Sequence, residues 1–121
     1  TFPKGLDVEI FSFKILEKIW KIAKLPSERE HVTQFILNNN KFRIGNIKHN
    51  YDLSNLRWTL DQKEDFEFLL NIVKRIQERP ILINNVLTVL KKEPWLSEIN
   101  IGIDPNEGIK KSKKEDEEYL K

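Results

Sequence analysis

The 121-residue sequence contains no cysteine. Disulfides and thiolate zinc sites are therefore excluded. It has only two histidines, His31 and His49, and with no second histidine at ligand spacing a zinc site is not expected. No apolar run reaches the ~18 residues that a membrane helix requires, and no signal peptide is visible. Glycine is scarce, at four residues, and none forms a Gly-rich loop of the kind that cradles phosphate. Charge of one sign is also lacking. The 21 basic and 19 acidic side chains leave a net charge of +2, which gives no reason to expect a nucleic-acid partner or an anionic membrane.

The residues present, 39% hydrophobic and 33% charged, suit a soluble domain or a piece of a larger one. A chain of this length can bury roughly two-thirds of its unfolded surface. Leu6, Val8 and Ile10 alternate with Asp7 and Glu9, the period of a half-buried strand, after a turn-like lead-in at Pro3 and Gly5. Ser12 stands at an N-cap position, and Phe13, Leu16, Ile19, Trp20 and Ala23 predict an amphipathic helix to Lys24. Leu25-Pro26 breaks it. Ser27 with Glu30 reads as a capping box for a second helix, which carries Val32, Phe35 and Ile36 and frays at Asn38 to Asn40. Phe42, Ile44 and Ile47 suggest a second strand, and "RWTL", Arg57 to Leu60, a third that ends on Asp61. A helix from Gln62 to about Glu78 follows, with Phe66, Leu69, Leu70 and Val73 turned inward, and Pro80 beyond its end. Another helix is expected from Ile83 to Lys91. The predicted order, β-α-α-β-β-α-α, is of the α/β class, with residues 1–100 forming the domain and 101–121 a charged tail.

Two stretches, "GLDVEIFSFKILEKIWKIAKLPSEREHVTQFI" and "DLSNLRWTLDQKEDFEFL", with the ending "PNEGIKKS", resemble the C-terminal half of the spore coat polysaccharide biosynthesis protein F family. That family is similar to CMP-KDO synthetases and other sugar cytidylyltransferases. The resemblance runs in order through nearly the whole chain. It implies a nucleotide-diphospho-sugar transferase fold (GT-A-like, Rossmann-like), a mixed and mainly parallel sheet flanked by helices. It implies transfer of a cytidylyl group from CTP to an acidic sugar with Mg²⁺, in a homodimer. The lack of cysteine suits a cytoplasmic site, and the balanced charge and the absence of a long apolar run suggest no nucleic-acid and no membrane partner. The family's nucleotide loop and acidic metal motif lie in an N-terminal half that these residues do not include. The chain is therefore expected to be a fragment with part of a site, inactive by itself.

Candidate site residues follow. Asp61 matches a metal-binding aspartate of the cytidylyltransferases; its spacing to Glu64 equally makes an Asp-led capping box. Asp7 lies on the first strand, where it lines a substrate pocket or a solvated face. Arg29 and His31 sit near a helix N-terminus, where Arg29 suits the fork of a sugar carboxylate and His31 a hydrogen bond to the sugar. Arg57 precedes Asp61 and either reaches a phosphate or pairs with Asp52. Trp20 and Trp58 are expected in the core. Two other readings stay open: a non-catalytic dimerisation or binding module, and glycosyl rather than nucleotidyl transfer.

Overall fold

The computed structural model describes residues 1–104 and 106–121. It corrects the α/β expectation. The chain is helical, with α1 at Phe13–Ile22, α2 at Pro26–Glu30, α3 at Gln34–Leu37, α4 at Lys63–Arg75, α5 at Ile83–Lys92 and α6 at Glu107–Tyr119, plus a 3-10 turn at Pro94–Glu98. Among the described residues there is no strand. Residues 6–10 and 42–47 are not paired, and "RWTL" supplies only one isolated parallel bridge, from Arg57 to Lys4. An alternating pattern makes a strand only where a neighbour takes its N–H and C=O groups. Here the bridge is limited to two bonds, from the Lys4 N–H to the Leu56 carbonyl (2.8 Å) and from the Trp58 N–H to the Lys4 carbonyl (2.7 Å). Gly5 permits this close approach: it has φ +100°, and a Cβ there would lie 2.7 Å from the Trp58 carbonyl.

Two compact units share the chain, each built from two segments. The first comprises residues 1–7 and 48–103. Its core is Phe68, Ile72 and Ile76 from α4 and the residue following it, Val86 and Leu90 from α5, and Leu96 from the 3-10 turn, with Leu56, Trp58 and Ile99 packed around them. The α4 register differs from the predicted one. Phe66, Leu70 and Val73 face solvent, and Asp65, Phe68 and Ile72 face inward. Arg75, near the end of α4, forks onto Glu93 with two 2.8 Å bonds and lies over the Trp95 ring, which is half-exposed.

The second unit comprises residues 8–47 and 104–121. Ser12 caps α1 as its sequence position predicts, its hydroxyl accepting from the Ile15 N–H at 3.3 Å. The box expected at Ser27 and Glu30 is replaced by the Glu28 carboxylate, which accepts from the Lys24 and Leu25 N–H groups. Ser27 instead joins α2 to α6. Its N–H and its hydroxyl both donate to the Asp116 carboxylate. Close by, buried Ser112 donates to Glu30 and meets His31 Nε2 at 3.1 Å. The turn after α2 holds Val32 at φ +33°, the left-handed region that a β-branched residue rarely enters.

Only Ile19 of α1 is buried. Trp20, expected in the core, is 64% exposed, and Phe13, Ile10 and Val8 are more exposed still. Of the predicted apolar stripe, Ile19 and Ala23 are buried, while Phe13 and Trp20 lie on this unit's open surface.

Candidate functional site

The site begins with a buried carboxylate. Asp65 occupies the first turn of α4 and is fully inaccessible to solvent. A buried charge is tolerated only when it is paired and its oxygens are satisfied. Both conditions are met. Arg57 donates from Nε to Oδ1 (2.9 Å) and from Nη2 to Oδ2 (2.8 Å), the side-on fork that suits a planar guanidinium. Thr59 Oγ1 and the backbone N–H groups of Asp61 and Gln62 donate to Oδ2, and Asn100 Nδ2 donates to Oδ1 at 2.8 Å. By accepting from these two N–H groups, the Asp65 carboxylate helps close the capping box at the start of α4. The Arg57 guanidinium, assisted by Asn100 and these two N–H groups, outweighs burial and holds the Asp65 carboxyl well below the usual carboxylate range. The same pairing pushes Arg57 up from its ordinary value.

Asp61 stands at the mouth of this network. Its carboxylate does not cap α4. It is 66% exposed, and Oδ2 accepts a 3.1 Å bond from Arg57 Nη2, so that one guanidinium nitrogen lies between two carboxylates. Oδ1 makes no bond to a described residue. The capping role that competed with metal ligation in the sequence therefore falls to Asp65, and Asp61 is left with a hard oxygen directed to solvent.

The other predicted residues are dispersed. Asp7, exposed in the first unit, accepts from the Gly5 N–H at 3.2 Å in a local turn. Arg57 pairs with Asp65 and Asp61, not with Asp52, whose carboxylate is taken by Ser54. Arg29 and His31 belong to the second unit. Arg29 donates from Nη1 to the Trp20 carbonyl (3.0 Å), and His31 faces Ser112. Ser112, His31 and Glu30 are a nucleophile, a base and an acid in proximity, but they do not make a triad. Ser112 is buried and donates to Glu30, and Glu30 approaches only His31 Nε2 (3.9 Å), the nitrogen that faces Ser112, rather than orienting the ring from its far side. Sequence reasoning assigned no part to Asp65 or Asn100. The signal available for Asp65 was its spacing of three from Gln62, the residue before the helix. Asn100 has no local signal, because it acts 35 residues away.

No group of three or more His, Asp or Glu side chains able to hold a metal occurs among the described residues. Asp61 offers one free carboxylate oxygen beside a cation, which is too little for an all-protein metal cage.

No protein-family model matches the chain, and no solved structure matches it. The chain is similar to the uncharacterized protein MJ1063 of Methanocaldococcus jannaschii, with 34% identity over 102 residues. That alignment takes in 82% of this chain and 42% of the relative, so the chain spans less than half the length of the protein it matches. No helix of the described residues is long and apolar enough to cross a membrane.

Proposed function

We propose that the chain is the C-terminal part of a sugar cytidylyltransferase-like protein of surface polysaccharide biosynthesis, related to the spore coat family that its motifs resemble. In this reading a sugar hydroxyl oxygen attacks the α-phosphorus of CTP. The bond from that phosphorus to the bridging oxygen breaks, pyrophosphate leaves with the electron pair, and the hydroxyl proton passes to solvent. Mg²⁺, entering with the nucleotide, would neutralise charge on the phosphates. Asp61 would supply its carboxylate ligand. Arg57, paired with the same carboxylate, would be the nearby cation for a phosphate. Asp7, of the same unit, and Arg29 and His31, of the second unit, are nominated as further substrate contacts by the sequence resemblance alone. The single observation that carries it is that Asp61, at the helix entrance, has no capping duty and that its Oδ1 meets no partner among the described residues.

The partner is a second copy, through the open apolar face of α1 with Phe13 and Trp20, and the compartment is the cytoplasm. Calorimetric titration of CTP with Mg²⁺ into the chain and into Asp61→Ala tests the proposal. Binding that Asp61→Ala abolishes without lowering the melting temperature supports it. Equal binding to both proteins overturns the role of Asp61.

A further inference from the structure

We propose that the outward face of α4 is a second contact between copies of this chain, an antiparallel pairing of α4 with the same helix of a partner protomer. It is separate from the α1 face and independent of the cytidylyltransferase reading.

The face is apolar and open. α4 turns Phe68 and Ile72 into the core of its unit, and Leu69 packs against that core. Phe66, Leu70 and Val73 point away from it and are 57%, 40% and 45% exposed. Their spacings of four and then three residues are the repeat by which two helices share a seam. A row of apolar side chains left in water gains from a partner that excludes the water.

The charges beside the seam select the partner. Glu67 follows Phe66 and Lys74 follows Val73; both are exposed, and neither is in an ion pair among the described residues. They lie on one edge of the stripe, roughly two helical turns apart, with opposite signs. In an antiparallel pair about a two-fold axis near Asn71, Leu70 packs against the partner's Val73 and Glu67 meets the partner's Lys74. Phe66 then lies over the C-terminal end of the partner's helix. Symmetry makes each contact twice. A parallel pair would set each charge level with its own kind. The edge is thus complementary to itself in one orientation, and a second copy satisfies it. The seam is short, so this pairing is weaker than a stable dimer needs and shows at high protein concentration.

The test uses the full chain carrying Phe13→Ala and Trp20→Ala, in which the α1 contact is removed and any dimer left at high concentration needs another face. Sedimentation equilibrium is measured for this parent, for Glu67→Lys, for Lys74→Glu and for the two reversals together. The expected result is a concentration-dependent dimer of the parent. Each single reversal sets like charges opposite and should weaken it about 5- to 30-fold, while the double reversal should return to within about 3-fold of the parent. Both side chains are exposed, so the four melting temperatures should agree and assign the change to association. A parent that stays monomeric at high concentration overturns the proposal and leaves this face to a different partner. Single reversals that leave the dimer unchanged, or a double reversal no tighter than the singles, overturn the antiparallel pairing.

Discussion

Asp61 gives Asp65 its backbone N–H, at 3.1 Å, and keeps its carboxylate for Arg57 and solvent. Two aspartates one helical turn apart therefore have opposite duties. The inner one holds the helix and the loop before it. The outer one is supported by that arrangement and contributes little to it.

Stability should divide accordingly. Asp65→Ala leaves the Arg57 guanidinium without its buried partner and is expected to cost about 3–5 kcal/mol. Asp61→Ala breaks only an exposed pair and should cost less than about 1 kcal/mol. Urea denaturation of both variants at neutral pH measures the contrast. Comparable losses would show that the outer carboxylate also holds the fold.

The acid response follows from the sign of the Asp65 shift. Its folded carboxyl lies below its unfolded value, which is about 3.9. The pairing therefore contributes fully above that value and is lost as pH falls below it towards the folded one. Denaturation midpoints should hold steady from pH 7 to about 5 and then decline. Asp65→Asn, already weakened at pH 7, should show a shallower decline over the same range. Parallel acid limbs in the two proteins would assign the effect to other groups.

At Val32 the backbone itself is strained. Its φ of +33° is one that glycine adopts without the roughly 1–2 kcal/mol penalty borne by other residues. Val32→Gly should therefore raise stability, by a few tenths to about 1 kcal/mol after the entropy of a freer unfolded chain is subtracted. Thermal melting decides it, and a lower midpoint for Val32→Gly would contradict the strain.

The open face of α1 makes a prediction about assembly. Phe13 and Trp20 are exposed in their own unit, so truncating them costs that unit little packing. Phe13→Ala with Trp20→Ala should shift sedimentation from dimer to monomer while leaving the melting of dilute protein nearly unchanged. A wild-type chain that sediments as a monomer at high concentration would remove the second copy as the partner.

How much of this was legible in the sequence depends on how locally each feature is encoded. Ser12 as a cap, the break at Leu25-Pro26 and the α5 helix from Ile83 were all readable, because caps, prolines and helical spacing act over a few residues. The strands were misread. Leu6, Val8 and Ile10 alternate as a strand would, but alternation cannot show whether a pairing neighbour exists, and Ile10 is 90% exposed. The α4 register was missed for a related reason. Of the stripe Phe66, Leu69, Leu70 and Val73, only Leu69 packs on the core; Asp65 turns inward because Arg57 and Asn100 await it, and Phe68 and Ile72 follow. A polar anchor completed from 35 residues away cannot be read from a window of one helix. The position of Asp61 at a helix entrance was visible; the transfer of its capping duty to Asp65 was not.

Because each unit is assembled from two separated segments, time enters the picture. Ser27 leaves the ribosome 89 residues ahead of Asp116, an interval on the order of 5–20 s at ordinary rates of synthesis. Throughout it Ser27 and His31 lack the α6 partners, Asp116 and Ser112, that they meet in the folded unit. Of the helices in this unit, α2 is thus made well before the helix that secures it, and its clasp closes only once α6 has been written.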